Sequence, residues 1–235
     1  SLGSATIVFY RSHLLAGDVA PIDALTDALE VRGLNAAAIY VPSLKATSAA
    51  EWLRSELKRT SPSVIINATA FAARDGAEGS PLDEGDCPVL QVALANLTQT
   101  LWDQSQRGIG ASDLAMHVVL PELDGRLFAG VISFKEADDL GGDLGLSVVR
   151  HMPYEHGIAH VADLAAAWAR LRASPRSERR IGLMLSTYPG RPDQIAHAVG
   201  LDGFEIILRI ANCLAREGYG IADRPDGVRA LVWKL

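Results

Sequence analysis

Residues 114–136 read LAMHVVLPELDGRLFAGVISFKE, and the rest of the chain is placed by how this stretch is read. It holds two short apolar runs, residues 114–120 and 127–134. Both are rich in β-branched and aromatic side chains, which predicts two strands. Between them stands Pro121-Glu122-Leu123-Asp124-Gly125. Proline cannot donate to a central ladder and Asp-Gly favours a reversal, so the first strand is predicted to end at Leu120. Glu122 and Asp124 then lie just past a strand end, where open α/β sheets build ligand sites. The competing reading is a solvated hairpin tip.

Upstream, residues 5–10 (ATIVFY), 35–42 (NAAAIYVP) and 64–69 (VIINAT) read as strands. A helix is predicted from Pro21 to the glycine stop at Gly33, with Ile22, Leu25 and Leu29 at core spacing. A second carries Trp52, Leu53 and Leu57 on one side, with Ser48 and Glu51 at capping-box spacing. Strand, helix, strand, helix, strand with short joints predicts a parallel sheet covered by helices. Residues 74–86 form a Gly-, Asp- and Glu-rich connector, a candidate lid. Residues 89–94 (VLQVAL) predict a fourth strand, and residues 97–106 a helix capped by Thr98.

Downstream, residues 138–146 read as an acidic loop, 151–158 as irregular and 161–173 as a helix. Residues 181–186 (IGLMLS) predict a strand, followed by a helix through Phe204, Ile207, Leu208, Ala211 and Leu214 that stops at Gly218. The strand, polar loop, amphipathic helix and glycine repeat the opening of the chain. The predicted fold class is therefore α/β: a mostly parallel, helix-covered sheet of Rossmann or flavodoxin type over residues 5–150, a connecting helix and linker over 151–180, and the start of a second similar unit over 181–235.

The 235 residues are 49% apolar with a net charge of −6, which disfavours a general nucleic-acid binder. No apolar run reaches the ~18 residues of a membrane span. Cys87 and Cys213 lie far apart without metal spacing and are expected to be reduced, in the cytoplasm. The opening Ser1-Leu2, without methionine, is the expectation for an excised piece of something longer. The chain contains no phosphate-cradling loop, no dinucleotide fingerprint, no nucleophile elbow and no paired-cysteine or HExxH zinc motif. ATP hydrolysis by this chain is therefore not expected.

Three histidines, His151, His156 and His160, fall close together with Glu155. Imidazole and carboxylate suit cobalt, nickel or zinc, but the spacing matches no closed site, so surface histidines are the simpler reading. His117 is read as a core histidine in mid-strand. Arg191 and His197 lie in a loop between a predicted strand and helix, a usual place for a ligand.

Several segments together resemble the CobN type of cobaltochelatase large subunit and, more distantly, the magnesium chelatase large subunit. They are Tyr10-Arg11 with Leu15-Ala16-Gly17-Asp18; Ala28-Leu29-Glu30 with Arg32-Gly33-Leu34-Asn35; Val41-Pro42-Ser43-Leu44-Lys45; and Asn67-Ala68-Thr69-Ala70-Phe71. Cys87-Pro88-Val89-Leu90-Gln91, the stretch from Asp113 to Glu136, Tyr188-Pro189, Val199-Gly200-Leu201-Asp202 and Glu217-Gly218-Tyr219 complete the set, in order along nearly the whole chain. Ile132-Ser133-Phe134-Lys135 favours the cobalt type over the magnesium type.

The resemblance implies ATP-dependent insertion of cobalt(II) into a corrinoid ring, hydrogenobyrinic acid a,c-diamide, in the cytoplasm. Cobalt is substrate there, and no cofactor is expected on this piece. A separate AAA+ ATPase subunit and its companion supply ATP and magnesium, while the large subunit binds the macrocycle. Insertion requires stripping the metal's waters, removing two ring protons and deforming the ring, and carboxylate or imidazole near the ring can serve the first two steps. The family's downstream His-Gly-x-Leu-Glu-type motif does not occur in these residues. No catalytic residue is therefore assigned, and Glu122, Asp124, Arg191 and His197 are the candidate substrate-facing residues. The alternatives are a magnesium chelatase relative, or a non-catalytic α/β small-molecule-binding or scaffold module.

Overall fold

The computed structural model describes residues 1–74, 79–139, 147–185, 200 and 202–233. β1 (Gly3–Tyr10) is central because its residues are apolar on both faces: Ala5, Ile7 and Phe9 point to one core and Val8 to the other. Such continuous burial is what a parallel strand under two helical layers requires. β2 (Leu34–Val41) and β3 (Val64–Asn67) flank β1 in parallel, followed by β4 (Val89–Leu94) and β5 (Leu127–Asp139), also parallel. β6 (Ser147–Pro153) closes the far edge antiparallel to β5, giving the order β2-β1-β3-β4-β5-β6.

One face is covered by α2 (Ala20–Val31) and α7 (Glu155–Ala173), which bring Ile22, Leu25, Leu29, Val161 and Ala165 onto Ile7, Ile66, Val92 and Ile132. The other face receives α3 (Thr47–Thr60), whose Leu53 and Leu57 pack on Val8 and Ile65. α7 approaches β5 closely: a Cβ on Gly157 would sit 1.8 Å from the Val131 carbonyl oxygen. α7 therefore belongs to the sheet's core and is not a linker between substructures.

The predicted strand over residues 114–120 is helical. α5 (Ala111–Leu114), a π-helical turn over Ala115–Val119 and α6 (Leu120–Glu122) run on continuously. The buried positions are Asp113, His117, Pro121 and Asp124, spaced four, four and three, which is a helical period. Two charged residues and a histidine hold that period, so a search for apolar periodicity passes over it. The apolar residues instead face outward: Leu114, Val119 and Leu123 are 46%, 50% and 70% exposed. Pro121 lacks the N–H that an α-helix would direct at the His117 carbonyl. Just before it the ladder has already shifted register, with Leu120 N donating to Ala115 O.

Other differences are smaller. α3 starts without the capping box at Ser48; Ala46 is its N-cap and no side chain caps it. The acidic stretch after Lys135 continues β5 to Asp139, and residues 151–153 belong to β6. In the connector, Pro81–Gly85 forms a short 3₁₀ helix closed by a Ser80/Asp83 capping box, with Pro81, Leu82 and Gly85 buried. Residues 75–78 lie outside the described set. The short helix α4 (Gln99–Gln104) begins at Thr98 as expected, with the Thr98 hydroxyl accepting from Leu101 N at 3.3 Å.

The chain divides into two units, Ser1–Arg172 and Ala173–Leu235. In the second, residues 181–185 belong to no strand, so the described residues do not carry the repeat predicted there. What they do carry is α8 (Gly203–Arg216), N-capped by Asp202 accepting from Glu205 N at 3.0 Å, and the short α9 (Val228–Val232). An apolar run next to a basic loop resembles a strand locally; among the described residues of this unit its backbone has no partner strand to pair with. No described helix is long and apolar enough to cross a membrane.

Candidate functional site at the carboxyl edge of the sheet

Strands β1 to β5 all end on one edge of the sheet, and β1 has β2 on one side and β3 on the other. The chain leaves β1 and β3 in opposite directions there, opening the crevice in which such sheets bind ligands. Tyr10 spans it: its hydroxyl donates to Ala70 O at 3.0 Å and accepts from Ala70 N at 3.2 Å. Burial raises the Tyr10 pKa, so the hydroxyl stays protonated and able to donate.

The floor beneath is a buried polar network. Asn67 donates to Gln91 Oε1 at 2.7 Å, Gln91 donates to Thr69 O at 2.7 Å, and the Thr69 hydroxyl donates to Asn67 Oδ1 at 2.9 Å. Arg126 reaches in from just ahead of β5 to the same Gln91 Oε1 and to Phe71 O, both at 3.3 Å. Its other terminal nitrogen pairs with Asp124 at 2.7 Å, and Asp124 also accepts from Ala73 N at 2.6 Å and from Arg74 N. These bonds hold the loop after β3 in one shape. Phe71 sits at its tip with φ of 67°, an uncommon conformation for a side chain of that size, and half-exposed.

Above the floor stands a histidine cluster. α1 (Arg11–Leu15) follows β1 directly and presents His13. His13 Nδ1 lies 3.7 Å from Asp18 Oδ2, and its ring packs edge-on against His151 of β6 with centroids 5.6 Å apart. Asp18 Oδ1 accepts from the backbone N of His151 at 2.9 Å, and Ser133 Oγ lies 3.2 Å from His151 Nδ1. His117, on the π-helical turn, is also buried, with Nδ1 lacking a partner among the described residues, and it feels the charges of Asp113 and His13. His13 and His151 thus meet on one rim, and His117 feels the charge of His13.

Burial pushes the His151 pKa from 6.5 down to about 4, against the pull of Asp18, and it lowers His117 in the same direction. Both rings are neutral in the fold near pH 7. Below pH 6.5 the unfolded chain takes up protons that the fold refuses, so stability is full above that value and falls as the pH drops toward 4. In metal-free buffer, the midpoint of urea unfolding is expected to fall across this window. His151→Gln is expected to flatten that fall, and an equally steep fall in the variant would contradict the assignment.

Glu122 is exposed at the end of α6, ahead of the amino end of β5 rather than past the carboxyl end of a preceding strand. Asp124 is turned inward, its side chain 1% exposed and committed to Arg126 and the loop amides. Arg191 and His197 lie outside the described residues. His151 is buried in the sheet while His156 and His160 are exposed on α7; the partners that approach His151 are His13 and Asp18. Sequence reading missed both, because one follows β1 and the other lies more than a hundred residues from His151. The only available signal was that Leu15-Ala16-Gly17-Asp18 belongs to the resembling segments.

An open, mostly parallel sheet with the order 2-1-3-4-5-6 and a polar crevice at its carboxyl edge defines a flavodoxin-like α/β unit. The CobN/Magnesium Chelatase family model matches residues 2–235, and the chain belongs to that family. It is 37% identical over 229 residues to the aerobic cobaltochelatase subunit CobN of Sinorhizobium sp, covering 96% of this chain and 18% of the relative. It is 28% identical to a magnesium-chelatase subunit of Cereibacter sphaeroides, covering 96% of this chain and 20% of that one. The solved catalytic subunit of cobaltochelatase from Mycobacterium tuberculosis matches 99% of this chain with a TM-score of 0.81 at 26% identity, over 20% of its own length. The chain therefore spans about a fifth of the length of these relatives.

Proposed function

We propose that this chain is a segment of the macrocycle-binding large subunit of an ATP-dependent cobaltochelatase, which inserts cobalt(II) into hydrogenobyrinic acid a,c-diamide during cobalamin synthesis in the cytoplasm. The observation that carries this reading is the near end-to-end identity of 37% with a cobaltochelatase subunit, against 28% with a magnesium-chelatase subunit. The absence of a phosphate loop fits a division of labour in which an AAA+ ATPase subunit and its companion supply the energy. The crevice contributes a wall of fixed loops and an imidazole-bearing rim. Such groups can replace water on an incoming cation or accept a ring proton.

The segment alone supplies neither the energy source nor a complete acid/base set, so the isolated chain is expected to metallate nothing. The complete subunit, with both partner subunits, ATP and cobalt(II), is expected to shift the absorbance of hydrogenobyrinic acid a,c-diamide to that of the cobalt form. Absence of that shift, or magnesium insertion into a porphyrin in its place, would overturn the reading. In the same assay Glu122, exposed ahead of β5, is proposed to face the macrocycle, so Glu122→Gln should slow insertion about tenfold with an unchanged melting temperature, a loss of roughly 1.4 kcal/mol in the transition state. Wild-type kinetics would retire that role.

A further inference from the structure

We propose that His13, Asp18 and His151 form a binding site for a divalent late first-row metal ion, with cobalt(II) as its working probe. One ligand atom from each of the three lies within 4.8 Å of the other two. Two imidazoles and one carboxylate, without thiolate, suit cobalt, nickel, zinc or iron(II), and leave coordination positions open for water or an incoming group. Magnesium and calcium are hard cations that take oxygen ligands, so a set with two imidazoles does not suit them.

Bonds to nitrogen of ~2.1 Å put two donors on one ion no more than ~4.2 Å apart, so a gap at the 4.8 Å limit must close by at least ~0.6 Å. His13 is the residue able to close it, since it sits on a five-residue helix at the rim while the other two are held. His151 is fixed by the β5–β6 ladder, with Lys135 opposite in register. Ser133 Oγ stands 3.2 Å from its Nδ1, and in the tautomer that donates there Nε2 is left basic, the usual arrangement around a metal-bound imidazole. Asp18 is held through its Oδ1 bond to the His151 amide, while Oδ2 is the oxygen nearer His13. A third imidazole, the buried His117, stands in electrostatic range of His13 with a ring nitrogen unpartnered among the described residues.

The binding stands on this geometry alone. Its use as a holding point for the cobalt that is inserted rests on the function proposed above, and the test below reads binding without turnover.

The experiment is a titration of the metal-stripped 235-residue chain with cobalt(II) chloride, followed by calorimetry and by visible absorption. One site per chain is expected, with a dissociation constant at or below ~10 μM and d–d bands of mixed nitrogen and oxygen ligation. His13→Ala, at a partly exposed position whose loss should not unfold the chain, is expected to weaken binding by at least ~10-fold. Asp18→Asn and His151→Gln should do the same, while His156→Ala and His160→Ala leave affinity unchanged, as does a hundredfold excess of magnesium. Stoichiometry well below one, an affinity weaker than ~1 mM, or unchanged affinity in a folded His13→Ala variant would overturn the proposal. So would loss of binding on His156→Ala.

Discussion

Asp124→Ala is expected to lower the stability of the sheet-bearing unit by about 3–5 kcal/mol, because it leaves the Arg126 guanidinium buried and uncompensated. The Arg126 and Asp124 side chains are 2% and 1% exposed, so water cannot take the partner's place. Among the described residues Arg126 would keep two long bonds, to Phe71 O and Gln91 Oε1, both neutral acceptors. The same change removes the acceptor of Ala73 N and Arg74 N, freeing the loop after β3. Urea unfolding should show the loss as a lower midpoint, and thermal unfolding as a fall of roughly 10 °C for a unit of this size. Asp124→Asn should fall short of this, since the amide oxygen still accepts while the charge is gone. The double change Asp124→Leu with Arg126→Met should recover much of the stability, because a buried ion pair replaced by packed apolar side chains is often close to neutral. A melting temperature for Asp124→Ala within a degree of wild type would show that the pair is not what holds this corner.

Gly157→Ala sets helix propensity against packing. An exposed helical site would gain about 1 kcal/mol from this substitution. Here the new methyl would stand 1.8 Å from Val131 O and 2.8 Å from a ring carbon of Tyr154. The carbonyl belongs to the β5 backbone and cannot rotate away, so α7 must lift from the sheet or β5 must bend. Either way contacts of Ile158 and Val161 with the core are lost. The expected cost is about 3 kcal/mol, at the upper end of ordinary overpacking. Gly110→Ala, where a Cβ meets nothing within 4 Å, is the matched control and should stay within ~0.5 kcal/mol of wild type. A stabilised Gly157→Ala would mean that α7 does not sit this close to β5.

Both effects act at positions where local sequence pattern misleads. By pattern, Asp124 is a carboxylate just past a strand end, and residues 151–158 are irregular. In each case the deciding contact lies far along the chain: Ala73 and Arg74 for Asp124, Val131 for Gly157. The resembling segments Asn67-Ala68-Thr69-Ala70-Phe71 and Val89-Leu90-Gln91 hold the polar floor of the crevice, a role that no motif in them announces.

The sequence by itself determined the α/β class, four of the parallel strands to within a few residues, and the family. Long apolar runs of β-branched residues under two helical layers have few other solutions, and the spacing of Ile22, Leu25 and Leu29 permits a helix and no strand. The fifth strand, β5, was also legible, in residues 127–134, but its upstream neighbour was not. There the buried face belongs to Asp113, His117, Pro121 and Asp124, and the burial of its two carboxylates depends on Asn96, Arg126 and the loop amides that satisfy them. Nor could local pattern join His13 and Asp18 to His151, since that meeting needs β1 and β6 on the same sheet and β5 running past the end of β4. Apolar burial is written in local periodicity. Polar burial is possible only where distant partners arrive, and those partners are chosen by the tertiary structure.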